Sequence, residues 1–530
     1  MKYSRTTLLA FIFFFVTICE LNSSLANTET FTQCLTTNSD PKHPISSAIF
    51  FAGNRSYSSV LEAYIRNLRF NTSTTAKPFL IIAATHESHV QAAVICGRRH
   101  NLQMKTRSGG HDYDGLSYVT YSGKPFFVLD MFNLRTVDVD VASKTAWVQT
   151  GAILGEVYYY IWEKSKTLAY PAGICPTVGV GGHVSGGGYG NIMRKYGLTV
   201  DNTIDAKMVD VNGKILDRKS MGEDLYWAIN GGGGGSYGVV LSYKIKLVEV
   251  PQNVTVFRVT RTLEQNATEI VHRWQTVAPE LPDELFIRTV LSVQNGTVSS
   301  TKTVRASFVG MFLGDTTTLL SILNQRLPEL GLVRSDITET SWIQSVLFWT
   351  NIQVGSSEKL LLQRNQTVNY LKRKSDYVRK PISRTGLESI WKKMIELEIP
   401  TMAFNPYGGA MARISSTVTP FPYRKGNLWK IQYGANWGED RLTNRYLELT
   451  RELYRFMTPF VSKNPRQSFF NYRDVDLGIN SHESKMKSYV DGKRYGKKYF
   501  AGNFERLVKI KTRVDSGNFF RNEQSIPVLP

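Results

Sequence analysis

The sequence predicts an α+β fold of two closely packed domains, the second of which is inserted into the first. The chain has 530 residues, of which 42% are hydrophobic, and this is enough for more than one core. Short strands alternate with helices from residue 79 to about residue 250, and longer amphipathic segments follow Pro251. We place the first domain at residues 27–250, the second at 251–465, and a C-terminal segment that returns to the first domain at 466–530.

The first 26 residues predict a secretory signal peptide. Lys2 and Arg5 precede an apolar run from Leu8 to Ile18, and the small residue Ala26 suits a cleavage site. That run is shorter than the roughly 20 residues that cross a bilayer, so we expect no membrane span. Six sequons follow, which predicts a glycosylated protein secreted to the extracellular space or cell wall. They lie at Asn54, Asn71, Asn253, Asn266, Asn295 and Asn365.

The elements of the first domain follow from their residue patterns. A helix is predicted over His89–Arg99 with Thr85 as its N-cap, and another over Ile153–Lys164. Asn212 and Gly213 form a two-residue turn signal inside a predicted hairpin. Strands are predicted over Phe79–Ala83, Gln103–Arg107, Phe126–Asp130, Thr145–Gln149 and Val239–Val250.

The formal net charge of +20 favours association with polyanions. A secretory signal and the absence of a recognisable nucleic-acid-binding motif argue against nucleic acid as the partner. We expect an acidic extracellular polysaccharide, such as pectin if the source is a plant. The alternative is a basic surface that serves solubility alone.

The cysteine count leaves one thiol to be explained. Cys19 is removed with the signal peptide, so the mature chain carries Cys34, Cys96 and Cys175. Cys34 and Cys96 can pair in an oxidising compartment, which leaves one cysteine over. A buried inert thiol and a different pairing both remain open at this point.

Three glycine-rich segments predict a ligand that carries a pyrophosphate, because glycine lets backbone amides approach phosphate closely. They span 108–111, 179–190 and 231–238. The third contains G-x-G-x-x-G at Gly233, Gly235 and Gly238, but a predicted helix precedes it and a strand follows it. A Rossmann fingerprint requires the reverse order. A flavin domain of another type is therefore favoured.

Three motifs resemble those of the berberine bridge enzyme-like flavoproteins, which have the vanillyl-alcohol oxidase (PCMH-type) FAD-binding fold. They are TRSGGHDYDGLSY at 106–118, PAGICPTVGVGGH at 171–183 and NYRDVDLG at 471–478. The resemblance runs from about Cys34 to Pro530. It implies that residues 27–250 bind FAD and that the inserted α+β domain binds substrate.

The resemblance also implies two covalent links to FAD, from His111 to the flavin 8α-methyl group and from Cys175 to flavin C6. The resemblance therefore gives Cys175 a role, and it implies a single disulfide, which Cys34 and Cys96 would form. His183 is implied to lie by the flavin N1, where a donor or positive charge favours hydride acceptance. The remaining cofactor contacts implied are Arg107, Ser108, Gly109, Gly110, Val178, Gly179, Gly181, Gly182 and Gly186.

The substrate side of the resemblance implies an oxidase of alcohols or sugars. Tyr472 is implied as the catalytic base, and a nearby cation or donor must stabilise its anion. Lys430 and Gln432 alternate along a predicted strand and so share a face. The glutamine stands where alkaloid-cyclising members carry a glutamate base, which argues against ring closure. Tyr113 and Tyr189 complete the implied catalytic set.

Val178 resembles the position that gates oxygen, and its small side chain predicts an oxidase that releases hydrogen peroxide. We expect a monomer that oxidises the anomeric C1 hydroxyl of cell-wall oligosaccharides, such as cellodextrins, to lactones and aldonic acids. One alternative is an oxidase of monolignols or other allylic aromatic alcohols. Another is an extracellular binding protein that keeps its flavin only as structure.

Overall fold

The computed structural model describes residues 28–298, 301–365 and 367–530. The predicted signal peptide therefore lies outside the described residues. Three main β-sheets organise the chain, and within the described ranges no helix is long and apolar enough to cross a membrane. The two smaller sheets are built from residues before 250, and the largest begins at Asn253, directly after Pro251. The domain boundaries given above stay a prediction.

The first sheet has four strands in the spatial order β1-β2-β4-β3. Strands β2 and β3 both run parallel to β4, and the buried patterns of β2 and β4 are typical of a sheet covered on both faces. The predicted strands are confirmed, although β2 begins one residue later than expected. The strands are β1 (Ile49–Phe51), β2 (Leu80–Ala83), β3 (Gln103–Arg107) and β4 (Phe126–Asp130).

A disulfide joins the N-terminal helix α1 (28–38) to α3 (Glu87–Arg99), with Cys34 bonded to Cys96. The predicted pairing is confirmed. The predicted N-cap of α3 is wrong, because His86 rather than Thr85 accepts the first-turn hydrogen bond, from the Ser88 amide at 3.3 Å. A short helix, α2 (Tyr57–Glu62), lies between β1 and β2 in the chain.

The second sheet is antiparallel, with five strands in the order β5-β6-β10-β8-β9. The predicted hairpin is confirmed, since Met208 pairs with Leu216 and Gly213 in the loop has a φ of 78°. The predicted strand to Val250 is split, because β10 ends at Lys246 and β11 (Val248–Glu249) pairs with β7 (Leu168–Ala169) instead. The five strands are β5 (Val137–Asp140), β6 (Thr145–Gln149), β8 (Thr203–Val209), β9 (Ile215–Leu216) and β10 (Val239–Lys246).

Four helices accompany this sheet. The first of them, α4, confirms the helix predicted over Ile153–Lys164. Ile153 is the N-cap of this helix and not, as predicted, its first residue. The helices are α4 (Leu154–Lys164), α5 (Val180–Ser185), α6 (Met193–Tyr196) and α7 (Arg218–Ile229).

The third sheet has seven antiparallel strands in the order β15-β12-β14-β13-β17-β18-β16. Helices α8, α11 and α13 pack on one face of it and bury its alternate apolar residues. The strands are β12 (Asn253–Thr262), β13 (Leu285–Asn295), β14 (Lys302–Phe312), β15 (Ile337–Ser341), β16 (Tyr370–Val378), β17 (Thr401–Pro406) and β18 (Trp429–Trp437). The helices are α8 (Ala267–Val277), α9 (Thr316–Arg326), α10 (Trp342–Trp349), α11 (Arg384–Leu397), α12 (Ala410–Arg413) and α13 (Thr443–Phe456).

The chain after this sheet packs back onto the first part of the molecule. Helix α14 (Lys485–Phe500) is followed by α15 (Phe504–Val514). On α15, the buried Lys511 donates to the Ser236 carbonyl at 2.6 Å. The motif that begins at Asn471 lies just before these helices in the chain. Because α14 and α15 pack against the first domain, the motif lies next to the glycine-rich segments.

Candidate active site

One cavity of about 350 Å³ brings together all three glycine-rich segments, strands β13 and β18, and the motif at 471–478. Its lining includes most of the site residues predicted from the sequence: Ser108, Gly109, Gly110, His111, Tyr113, Cys175, Val178, Gly179, Gly181, Gly182, His183, Tyr189, Gln432 and Tyr472. Residues more than 350 positions apart in the sequence therefore face a common space.

The two predicted attachment residues lie on neighbouring loops of this cavity. His111 Nε2 lies 3.0 Å from the hydroxyl of Thr177, two residues after Cys175. Burial, reinforced by Arg66, lowers the pKa of His111 to about 3, so its imidazole is neutral. Cys175 is a free thiol and is exposed to the cavity. Desolvation by the surrounding protein raises the pKa of this thiol and outweighs the opposing effect of Arg288 and Arg373.

The glycines between these residues are required by close packing of the two loops. A Cβ on Gly109 would lie 2.4 Å from the Gly179 amide nitrogen, and one on Gly179 would lie 2.1 Å from Ser108 Oγ. Gly110 has a φ of 69°, and its Cβ would lie 1.9 Å from the Tyr64 carbonyl oxygen. No other residue could keep the His111 loop this close to the Cys175 loop.

Other features of the cavity fit a large phosphate-containing cofactor. A Cβ on Gly182 or Gly235 would meet no atom within 4 Å, so each glycine leaves a stretch of backbone open to a ligand. The buried Ser117 hydroxyl also lines the cavity and has no hydrogen-bond partner among the described residues. Such a group is expected to bond to a ligand. These residues fit FAD.

Two predicted cofactor contacts do not line the cavity. Arg107 is fully buried and pairs with Asp130 at 2.6 Å, because β3 and β4 place the two residues side by side. Gly186 instead makes room for Asn471, whose amide nitrogen would lie 2.3 Å from its Cβ. Arg107 and Gly186 therefore support the walls of the cavity in this structure, and their direct contact with the cofactor stays a prediction.

Three tyrosines surround one end of the cavity. Tyr472 lies on a short 3-10 helix (Phe470–Tyr472), and its hydroxyl is 2.5 Å from that of Tyr189. The ring centroids of Tyr113 and Tyr472 are 5.8 Å apart. Burial and the neighbouring hydroxyls of Tyr189 and Tyr113 raise the pKa of Tyr472 well above its ordinary value, against the effect of Arg288. The hydroxyl is therefore protonated until a substrate or another group changes its surroundings.

Gln432 and Lys430 share a face of β18, as expected from their spacing, because Trp429, Ile431 and Tyr433 point into the helix-covered core. The Gln432 side chain donates to the Tyr113 hydroxyl at 3.0 Å. Burial raises the pKa of Tyr113 to about 12.

Lys430 lies behind the tyrosines and does not line the cavity. Its Nζ is fully buried, has no hydrogen-bond partner among the described residues, and lies 3.2 Å from the centre of the Tyr189 ring. The Tyr472 ring centre is 4.6 Å away. Burial, reinforced by Arg288, lowers the pKa of Lys430 well below its ordinary value. The Lys430 amine therefore faces the rings of Tyr189 and Tyr472 and does not contact their hydroxyls.

His183 and Val178 lie against the glycine segments. The Gly173 amide donates to His183 Nε2 at 3.1 Å. Burial and Lys430 lower the pKa of His183 to about 3, so the imidazole is uncharged. Val178 is half-buried at the cavity wall, three residues after Cys175.

Arg288 is a site residue that the sequence reasoning missed. It lies on β13 between the core residues Leu285, Ile287 and Leu291, and alternation turns its side chain toward the cavity. Its guanidinium donates to the Tyr189 hydroxyl at 3.4 Å and to Asn405 at 2.6 Å. The available signal was an arginine directly after the apolar residues Leu285 to Ile287 of this strand.

Asn471 was also missed as a site residue. Its side-chain oxygen accepts from the Gly188 amide at 2.9 Å, and its nitrogen donates to the Gly182 carbonyl at 2.9 Å. It therefore fastens Tyr472, the next residue, to the second glycine-rich segment.

A buried ion network ties the same motif to β16. Asp474 pairs with Lys372 at 2.8 Å and with Lys374 at 2.5 Å, and Lys372 also pairs with Asp114 at 3.2 Å. Burial alone would raise the pKa of Asp474, but the two lysines outweigh it and hold the pKa below its usual value. Because Asp114 is three residues after His111, the network joins the attachment loop, the large sheet and the Tyr472 motif.

Comparison with known proteins identifies the family. A family model described as FAD binding domain matches residues 78–218, and one described as berberine and berberine like matches residues 468–527. Berberine bridge enzyme-like 8 of Arabidopsis thaliana is 86% identical over 530 residues, which is 100% of both chains. Berberine bridge enzyme-like 19 of the same plant is 54% identical over 98% of this chain and 92% of its own.

Solved structures agree with these sequence matches. BBE-like 28 from Arabidopsis thaliana superposes with a TM-score of 0.88 at 45% identity, covering 95% of this chain and 100% of its own. Phl p 4, described as a grass pollen allergen with glucose dehydrogenase activity, gives 0.89 at 44% identity, with coverage of 94% and 99%. A Phl p 4 variant described as a glucose oxidase gives the same values. The chain therefore belongs to the berberine bridge enzyme-like family of FAD-dependent oxidoreductases and has its PCMH-type FAD-binding fold.

Proposed function

We propose that this protein is a secreted oxidase that holds FAD covalently through His111 and Cys175 and oxidises the anomeric C1 hydroxyl of cell-wall oligosaccharides such as cellodextrins. The product is a lactone that water opens to an aldonic acid, and dioxygen is reduced to hydrogen peroxide. The observation that carries the proposal is the convergence of both attachment residues with Tyr113, Tyr189 and Tyr472 on one cavity.

The residues that would hold FAD are those of the two packed loops and the open glycines. His111 and Cys175 would provide the covalent bonds, and the open backbone at Gly182 and Gly235 would contact the cofactor. His183, neutral and buried, would offer a hydrogen bond without adding charge. When bound, FAD supplies a hydride acceptor that dioxygen can reoxidise.

Tyr472 would accept the proton of the substrate hydroxyl as C1 loses its hydride. The developing phenolate needs stabilisation, because burial favours its protonated form. The Tyr189 hydroxyl, 2.5 Å away, can donate to the phenolate, and Arg288 can donate in turn to Tyr189. This chain of donors delivers positive charge density to Tyr472 as its negative charge develops.

Lys430 supports the same charge from behind the rings. Burial without a carboxylate partner lowers its pKa, and a nearby phenolate has the opposite effect. An ammonium 4.6 Å from the Tyr472 ring centre and 3.2 Å from that of Tyr189 therefore becomes more favourable as the phenolate forms. Such an interaction is stronger in the transition state than in the resting enzyme and accelerates the reaction.

The polar character of the lining supports a sugar as substrate. Hydroxyls of three tyrosines, the Gln432 amide and the Arg288 guanidinium give a polyhydroxylated ring several hydrogen-bond partners. The glucose-oxidising activity named for Phl p 4 and its variant supports the same class. An aromatic alcohol is the second candidate, because the tyrosine rings and Phe469, 5.0 Å from Tyr472 between centroids, could stack on it.

The extracellular setting is proposed on separate grounds. The Cys34–Cys96 disulfide is typical of an oxidising compartment. Five of the six sequon asparagines are exposed and Asn71 is half-buried, so all are accessible to glycosylation. The +20 charge supports retention by an acidic cell-wall polysaccharide.

Anaerobic mixing with candidate substrates tests the proposal. Cello-oligosaccharides should bleach the flavin absorbance and, in air, release one peroxide per aldonic acid formed. The matched control is the same sugar with its reducing end converted to an alditol, which lacks the anomeric hydroxyl and should not bleach the flavin. Bleaching by coniferyl alcohol but not by the sugars would support the hypothesis of an aromatic-alcohol oxidase. If neither the sugars nor the alcohol bleached the flavin, the proposal of a catalytic oxidase would be contradicted.

A further inference from the structure

Three of the eight histidines in the chain lie together outside the lining of the flavin cavity. His43 lies in a loop after α1, and His86 and His89 lie at the start of α3. Asp40 completes the group. We propose that Asp40, His43 and His86 bind a first-row divalent transition-metal ion, with Zn²⁺ and Cu²⁺ as the ions of highest affinity.

The side chains already have nearly the separation that a metal ion needs. The ligand atoms of the three residues all lie within 4.8 Å of one another. The rings of His43 and His86 are parallel, with centroids 3.9 Å apart and an angle of 11° between their planes. Bonds of about 2.1 Å in a tetrahedral site place ligand atoms about 3.4 Å apart, so closure requires movements on the order of 1 Å. It also requires the His43 ring to rotate out of its stack on His86, because each imidazole binds a metal ion in its own ring plane. His43 is exposed and free to make these movements.

Hydrogen bonds hold the group in place before any ion binds. His86 Nδ1 accepts from the Ser88 amide at 3.3 Å, which fixes the ring and leaves Nε2 as the ligand atom. The buried His89 Nε2 contacts the His43 carbonyl oxygen at 2.8 Å and so ties the loop to α3. The His43 amide also donates to the Asp40 carbonyl at 2.9 Å. Such outer contacts orient ligands and raise affinity.

The ligand types select the class of ion. Two imidazole nitrogens and one carboxylate suit Zn²⁺ and Cu²⁺, whereas Ca²⁺ and Mg²⁺ prefer all-oxygen sites. Three protein ligands leave positions for water. None of the three residues lines the flavin cavity, so the site is separate from the redox site. A bound ion would link the loop that follows α1 to the start of α3.

The experiment uses the intact flavoprotein after chelator treatment and dialysis. Zn²⁺ titration by calorimetry should show one saturable site, and Zn²⁺ should raise the unfolding temperature. One equivalent of Cu²⁺ should give an electron paramagnetic resonance spectrum with coupling to two imidazole nitrogens. His43→Gln should leave coupling to one nitrogen and weaken Zn²⁺ binding by at least about tenfold, and Asp40→Asn should weaken it similarly.

His86→Asn removes a ligand but keeps a side chain that can cap α3, so it separates loss of metal binding from loss of folding. The matched controls are His272→Gln and Glu87→Gln, which remove a histidine and a carboxylate outside the group and should change affinity less than twofold. Unchanged flavin absorbance and unfolding temperature without metal verify each fold. Equal affinity in the wild type and in the double variant of His43 and Asp40, or a Cu²⁺ spectrum without nitrogen coupling, would overturn the proposal.

Discussion

Replacement of Tyr472 by phenylalanine isolates the proposed base from its packing. The variant keeps the ring contacts with Phe469 and Tyr113, at centroid distances of 5.0 Å and 5.8 Å, and removes only the hydroxyl that lies 2.5 Å from Tyr189. Loss of a positioned general base slows the reaction by about 10²–10⁴-fold. This corresponds to about 3–5 kcal/mol of transition-state stabilisation. The flavin content and the unfolding temperature should stay close to those of the wild type.

The assay is anaerobic stopped-flow measurement of flavin reduction with cellobiose or a longer cello-oligosaccharide. Tyr189→Phe should give a smaller loss of about 10–100-fold, because it removes one hydrogen bond to a charged group. Tyr160→Phe, at an exposed tyrosine outside the cavity, is the control and should reduce at the wild-type rate. A reduction rate within fivefold of wild type for Tyr472→Phe would refute the assignment of the base.

Two further predictions concern the residues around this centre. Asp474→Asn leaves Lys372 and Lys374 partly uncompensated in the interior and should cost about 3–5 kcal/mol of unfolding free energy, measured by chemical denaturation against an exposed control, Asp440→Asn. Because the pKa of Asp474 is lower in the folded than in the unfolded protein, its stabilisation is complete above about pH 4. This stabilisation is lost on further acidification, so the unfolding free energies of the wild type and Asp474→Asn should converge below that pH. A difference in unfolding free energy that does not change with pH would contradict this. Val178→Ile should slow reoxidation by dioxygen and leave anaerobic reduction unchanged, whereas equal slowing of both would contradict an oxygen gate.

Local patterns predicted much of the fold and the lining of the cavity. The strands around β4 were predicted from short apolar runs, and the hairpin at Gly213 was predicted from its Asn-Gly turn. The structure contains both features. Lys430 and Gln432 share a face because strand residues alternate with a period of two. The glycines at 109 and 179 have the close backbone approaches expected of such residues.

The remaining features depend on long-range packing. Arg288 reaches the tyrosines only because β13 and β18 belong to one sheet that covers the cavity. Arg107 looked like a cofactor contact beside the histidine motif, but the parallel register with β4 supplies it with Asp130. Strand pairings such as those of β3 with β4 depend on contacts between distant parts of the chain, and the order of the cofactor-binding segments in the sequence does not predict them.

The proposed two-point attachment of FAD is tested most directly by peptide mass analysis. The protein should be denatured with acid and digested, and the peptides that contain His111 and Cys175 should be identified. We expect no free FAD in the supernatant and a single flavin that joins the two peptides, with its mass added once to their sum. Release of free FAD, or unmodified masses for both peptides, would contradict the account.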